Sequence, residues 1–292
     1  MNMQDELRRY SHFLAQIRQF FSRQDVVEVQ TPQLLDTPAT DVYIDSIAMQ
    51  VNKAFEKKSK YLHTSPELEM KKLLANGSGD IYQICQVFRD NEQGAQNFNE
   101  FTMLEYYRLG FDIHQLMDDV VQLLTTLGVQ GRVSKLSYAQ AFFEYGDIDI
   151  LNTDFDALKI IAKKQGLSAE FEWIEDLQIL LFTHLIEPKL ENLPLCFIYD
   201  YPAMQSALAK VEDRVSQRFE LYMNGVEVAN GYDELRHASE YRQIFEQETA
   251  KRATLKKHTS SLNKDYLTAI QSSLPECAGV AIGINRLLSQ ID

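Results

Sequence analysis

Apolar residues recur at Leu7, Tyr10, Phe13, Leu14, Ile17, Phe20 and Phe21. That three-and-four spacing lays one stripe along a helix, so the chain opens on an amphipathic helix. The period then changes. "DVVEVQTPQLL" reads as a short strand broken at Pro32, because proline has no N–H for a ladder. Ile81–Phe88 and Phe101–Tyr107 read as strands. Leu116, Met117, Val120, Val121 and Leu124 share one face of a helix over Ile113–Leu124. From there to about Leu195 the pattern is mostly helical, most clearly in "DFDALKIIAKKQGL" and "IEDLQILLFTHLIEPKL". Strands return in "LCFIYDYP" and "RFELYMNGVEVANGYDEL", a helix covers roughly Ser239 to Lys256, and "GVAIGINRLLSQID" closes the chain. Helices and strands do not alternate, and neighbouring strands read as hairpins. The expectation is an α+β fold with an antiparallel sheet. With no repeat and no Gly/Ser/Pro linker, it is one domain over residues 1–292, with a helical insertion at about 112–195.

Composition narrows the function. The 292 residues are 45% hydrophobic, enough for a real core, and carry a net charge of −13. Such a field repels phosphate backbones and excludes generic nucleic-acid binding. Three cysteines stand far apart, with no metal or disulfide spacing, which fits a reducing cytosol. No signal peptide or membrane-length apolar run is present. The expectation is a cytoplasmic protein without membrane contact.

Candidate chemistry sits on four stretches. Asn224-Gly225 lies between apolar-rich runs and is a hairpin signal, since both turn residues need positive φ. With these two as the loop, Met223 faces Val226 and Tyr222 faces Glu227. Alternation then puts Glu220 on the face of Glu227, with backbones roughly 7–8 Å apart. Two such carboxylates can share Mg²⁺, or they are acids on the solvated face of a hairpin. Second, "VFRDNEQGAQNFNEF" sets Arg89 at the mouth of a long loop that holds Glu92 and Glu100. Glu105 and Tyr107 follow on the strand face of Phe101 and Met103. Arg89 could reach over that face and grip phosphate or carboxylate with its planar fork. Third, Gly279 and Gly283 bound a short apolar strand, a mark of close ligand approach or of a plain core strand, and Arg286 falls in the helix turn that follows. Fourth, Ser65 and Pro66 look like a helix start, with Glu67 as a first-turn acid. A Walker loop, a zinc-type His-Glu pair and a nucleophile elbow are absent from the sequence.

Taken in order, "RQFFSRQDVVEVQTP", "FRDNEQGAQNFNEFTMLEYYR" and "GVAIGINRLL" resemble motifs 1, 2 and 3 of the class II aminoacyl-tRNA synthetases. "TSPE", "EFTMLE" and "RFELYMNGVEVANGYDEL" resemble the lysyl subgroup. Lysyl-tRNA synthetases carry an N-terminal anticodon-binding barrel. Here the motif 1 helix begins almost at Met1, so no such barrel and no anticodon binding are expected. A stand-alone catalytic domain of this kind resembles the elongation factor P–(R)-β-lysine ligase family, as do "YPAMQSALAK" and Ala281, where lysyl enzymes usually have glycine.

The resemblance implies activation of (R)-β-lysine or lysine by ATP with Mg²⁺, then transfer to a lysine of elongation factor P, by a homodimer paired through motif 1. Arg89 and Arg286 become the catalytic arginines, on the α- and γ-phosphates. Asp90, Asn91, Glu92, Phe98, Val228 and Gly283 complete the ATP site, with Glu220 and Glu227 holding the metal. Ser65, Pro66, Glu67, Glu105, Tyr107, Asn230, Glu234 and Ala281 surround the amino acid. The chain departs from the family pattern where His-Asn-Pro is usual and Asn97, Phe98 and Asn99 stand. It departs again at Asn91 in place of an acid, at Asn285 in place of aspartate, and in stopping early, at Asp292. These changes imply slower catalysis, a different grip on the nucleotide, or a decayed enzyme acting as a binding protein. A related adenylate-forming enzyme with another acceptor is the remaining reading.

Overall fold

A computed structural model describes residues 2–53, 56–92, 98–259 and 261–291. Asn97 lies outside the described residues. In chain order the elements are α1 (Met3–Ser22), β1 (Val27–Glu28), β2 (Leu34–Leu35), β3 (Ala48–Lys53), β4 (Glu56–Leu62), α2 (Glu67–Ala75), β5 (Ile81–Phe88), β6 (Glu100–Leu109) and α3 (Ile113–Thr126). Then come β7 (Val133–Ser137), α4 (Tyr138–Gly146), α5 (Phe155–Lys164), α6 (Ile174–Leu181), α7 (Glu187–Leu190) and β8 (Leu195–Pro202). The chain ends with β9 (Val211–Glu212), β10 (Val215–Met223), β11 (Val226–Asp233), α8 (Ala238–Thr254), α9 (Lys264–Ala269), β12 (Cys277–Gly283) and α10 (Ile284–Ser289).

The main sheet runs β1-β5-β6-β12-β11-β10-β8-β7, with β9 beside β10. Its central pairings are antiparallel, as expected for this α+β fold. The two outermost, β1 with β5 and β7 with β8, are parallel. One face is covered by α1 and α3. Phe13, Ile17, Phe20 and Phe21 form the buried stripe of α1, and Phe21 stacks on Tyr82 at 4.4 Å between ring centroids. Asp112 and Gln115 close a reciprocal cap at the start of α3, satisfying two backbone groups that helix ends leave open. A second apolar cluster joins α4 to α7 with β8 and Tyr222, and a third joins α2, α8 and α9 to the other face of the sheet. Truncating Phe21, wholly buried between these layers, would cost about 3–5 kcal/mol.

Four details differ from the sequence reading. Glu100 is not in the long loop; it opens β6 opposite Phe88, because the ladder runs one residue further than the apolar pattern. A small sheet, β2-β4-β3, was not read, since its hairpin is lysine-rich and mostly exposed. Strand β7 lies between helices where the pattern reads helical. In the 218–235 hairpin the register shifts between Leu221 and Tyr222, so Glu220 faces Asn230. The turn itself is as read: Tyr222 faces Glu227, Met223 faces Val226, and Asn224 and Gly225 take φ of 47° and 80°.

Candidate active site

Four neighbouring strands build a floor in rows, because facing residues of an antiparallel ladder point to the same side. Tyr107, Gly279, Tyr232 and Arg218 form one row across β6, β12, β11 and β10; Glu105, Ala281, Asn230 and Glu220 form the next. Met103 and Gly283 pair in the row beyond. Above them lies a cavity of about 740 Å³, a size that suits small-molecule sites. Ser65, Glu67, Arg89, Glu92, Phe98, Glu105, Tyr107, Glu220, Glu227, Val228, Asn230, Glu234, Ala281, Gly283 and Arg286 all line it. Three residues of the sequence reading are not on its wall. Pro66 serves as the N-cap of α2, Asp90 joins its backbone to Asp45, and Asn91 takes a left-handed turn onto the Asp90 carboxylate.

The first-row end is acidic and deeply buried. Glu105 accepts from the Tyr107 hydroxyl at 2.7 Å, and its Oε2 has no hydrogen-bond partner among the described residues. Glu234 is also buried. Gly279 makes this packing possible: a Cβ there would lie 2.3 Å from the Tyr107 ring and 2.7 Å from Glu234 Oε1. Glu67 enters from the first turn of α2, one helical turn before Lys71. Lys71 is wholly buried, with Nζ 2.6 Å from Glu67 Oε1 and 2.5 Å from Glu234 Oε2. Burial disfavours the charged form, and with Glu67 close by it pushes the Glu105 carboxyl up to about 8. Burial raises the Glu234 carboxyl as well, against the opposing pull of Lys71. Burial would lower the Lys71 ammonium, but Glu234 and Glu67 outweigh it and keep the lysine charged.

Gly283 and Arg286 mark the other end, about 13 Å away along the strands at 3.3 Å per residue. There two arginines enter the wall, beside the Glu220 and Glu227 carboxylates. Arg89 lies over the Phe101 ring at 5.2 Å, with Nε donating to the Thr64 carbonyl, so it does reach across the β6 face. Arg286 Nη1 donates to the Glu227 carbonyl at 3.1 Å and stands 3.5 Å from its carboxylate. Burial and the Glu220 carboxylate push Glu227 up to about 7. Its side chain is 41% exposed, so water screens much of that effect. A Cβ on Gly283 would meet nothing nearer than 3.8 Å, so the glycine leaves open floor there. Asn285 presents its Oδ1 to the Thr102 amide at 2.8 Å, pinning α10 to β6.

Glu220 is held by three donors, Arg218, Tyr201 and Tyr222. A carboxylate has about four acceptor positions, which leaves one for a cation. Glu220 and Glu227 could each give one oxygen to a cation that takes its other ligands from phosphate and water, as Mg²⁺ commonly does. The mutual pressure of the two carboxylates, seen at Glu227, is what such a cation would relieve.

Reading the sequence missed Lys71 and Arg218. Both carried a signal: Lys71 lies four residues after Glu67, and Arg218 lies two before Glu220 on the same strand face. Glu248 was also missed; it lines the cavity, accepts from Thr40 Oγ1 at 2.5 Å, and is pushed up to about 7 by burial.

Residues 1–291 match the family described as tRNA synthetases class II (D, K and N). The chain belongs to the class II tRNA synthetases. Within the family it is similar to proteins named elongation factor P–(R)-β-lysine ligase. It is 40% identical to that of Vibrio vulnificus over 292 residues, 97% of this chain and 90% of the relative. It is 41% identical to that of Vibrio parahaemolyticus over the same shares, and 39% identical to that of Pectobacterium carotovorum over 97% and 89%. Such kinship makes the chain a member of this group of ligases, and its enzyme class is that of an ATP-dependent ligase. No helix among the described residues is long and apolar enough to cross a membrane.

Proposed function

We propose that the chain uses ATP to activate (R)-β-lysine, or lysine, as an aminoacyl-adenylate, and passes the aminoacyl group to the ε-amine of a lysine on elongation factor P. The observation that carries this reading is the arrangement of one cavity: three carboxylates around a buried lysine at its closed end, and at the other two arginines beside the Glu220–Glu227 pair. An amino acid with an ammonium on its side chain fits the first, and a triphosphate fits the second. The acceptor rests on the name shared by the relatives.

In the first step the substrate carboxylate attacks the α-phosphorus and pyrophosphate leaves. Glu67, Glu105 and Glu234 anchor the amines, with Tyr107, Ser65 and Asn230 beside them. The substrate carboxylate is thereby turned toward Arg89. Arg89 neutralises charge on the α-phosphate and Arg286 on the departing phosphates, so the work is positioning and preorganised charge. Glu220 and Glu227 would hold Mg²⁺, which supplies further neutralisation of the phosphates. In the second step the acceptor amine attacks the acyl carbon and AMP leaves. Ala281, between Glu105 and Asn230 on the floor, places a methyl beside the amine pocket and favours a β-amino acid there.

The same reading has two copies paired through α1 and β1, where Leu7 is 63% and Val27 53% exposed, in the cytoplasm. The residues act as one catalytic domain, with the helical insertion at about 112–195. The test is mass spectrometry of elongation factor P after incubation with the enzyme, ATP and (R)-β-lysine. One lysine gaining one β-lysyl group supports the proposal; an unmodified acceptor despite adenylate formation sends the search to another acceptor.

A further inference from the structure

Lys71 stands where an amphipathic helix usually buries an apolar side chain; its neighbours in the layer are Met70 and Leu74. A buried ammonium is costly unless it is paired, and this one is paired twice, with two carboxylates of the amine pocket. The groups facing it are Glu67 on its own helix, Glu234 just past β11, Tyr241 on α8 and Tyr266 on α9, with Glu105 on β6 and Cys277 on β12 also near. Its Nζ lies 5.3 Å from the Tyr241 ring centroid.

We infer that Lys71 is a positioning residue that sets the charge of this pocket to match amino acids carrying two ammonium groups. The inference rests on the pocket being the amine site proposed above. Glu67, Glu105 and Glu234 bring three negative charges when ionised and Lys71 cancels one, while Arg218 in the first row is cancelled by its ion pair with Glu220. The remainder equals the two positive charges of a diamino acid. The lysine ion-pairs with Glu67 Oε1 and Glu234 Oε2, whereas Glu105 Oε2 has neither a hydrogen bond nor an ion pair among the described residues and is available to a substrate ammonium. Without Lys71 one buried carboxylate would be in excess and would hold a proton in place of a substrate amine.

The test is ATP–pyrophosphate exchange by the full chain, with lysine or β-lysine against norleucine, which lacks the second amine. Glu234→Gln leaves one net negative charge, and the KM for the diamino acid rises about 30-fold. Adding Lys71→Met to that variant restores two. The double variant is expected to recover about tenfold of the KM, with kcat within about threefold of Glu234→Gln. A merely structural lysine would make the double variant worse, and a KM at or above that of Glu234→Gln overturns the inference. Lys71→Met alone has a raised KM that recovers as pH rises, because the extra proton must leave. Should the methionine variants not fold, Lys71→Gln, which keeps a donor for Glu67, replaces them. If no Lys71 variant folds, the residue holds the fold and the inference fails. Wild-type enzyme that does not prefer the diamino acid to norleucine would instead overturn the amine-site reading itself.

Discussion

The two ends of the cavity solve opposite problems. At the end proposed to take the amines the acids are placed by strand β6, by the residue just past β11 and by the first turn of α2, and they are sunk so deeply that Glu105 and Glu234 are 3% and 2% exposed. Those side chains have little freedom to lose when substrate arrives, so the site is preorganised. At the end proposed to take the phosphates the arginines stand at element edges, Arg89 just past β5 and Arg286 on a six-residue helix, and the nearby Glu227 and Phe98 are open to solvent. On the proposed reading, holding the two ammonium groups of a diamino acid calls for a closed, low-dielectric box. Gripping a triphosphate that must enter, split and leave calls for strong charges at an open mouth.

The comparison can be broken most sharply at Arg89. Arg89→Ala is expected to lose about 3 kcal/mol of transition-state stabilisation, roughly 10²-fold in kcat, with little change in KM for the amino acid. Single-turnover kinetics would measure it; near-normal turnover removes Arg89 from the phosphate site. Glu105→Gln is expected to do the converse, raising the KM for the diamino acid by about 10–100-fold while kcat falls less, since a hydrogen bond to a charged group contributes about 1.5–3 kcal/mol.

Next in size is pH dependence, which should belong to the amine end. Burial and the neighbouring Glu67 raise the Glu105 carboxyl to about 8, above the ordinary carboxylate range. Its protonated form stabilises the ligand-free protein below that ordinary range, and this contribution is lost as pH rises through about 8. On the proposed reading the diamino substrate binds the ionised form. Its KM should therefore fall between about pH 6 and about pH 8, by up to about tenfold per pH unit for each proton displaced. A KM flat with pH would contradict the buried-acid account. Ala281→Gly is expected to shift the preference between α- and β-lysine several-fold, on the order of 1 kcal/mol. Smallest of all, Phe98→Asn should change the KM for ATP by no more than about threefold, since solvent competes for contacts at an exposed residue.

Much of both ends was legible in the sequence, for separable reasons. Strand alternation put Glu105 and Tyr107 on the face of Phe101 and Met103, and the Asn-Gly turn put Glu220 and Glu227 on one side of a hairpin. Those are local rules with a period of two. Alternation could not show the shift between Leu221 and Tyr222, which pairs Glu220 with Asn230 through one extra residue. Nor could it show that Lys71 points inward: a lysine in a helix is ordinarily read as solvated, and only the arrival of Glu234 from a distant strand makes its burial tolerable. The exposed β3–β4 hairpin had no apolar alternation to read. Asn285, read only as a departure from the family's aspartate, accepts the Thr102 backbone N–H on its amide oxygen and so holds α10 in place.

The central claim is that one cavity joins a diammonium pocket to a triphosphate site. It is tested most directly by ATP–pyrophosphate exchange, run in parallel with (R)-β-lysine, α-lysine and no amino acid. The account gives exchange that depends on the amino acid and is strongest with (R)-β-lysine. No exchange with either lysine would contradict it.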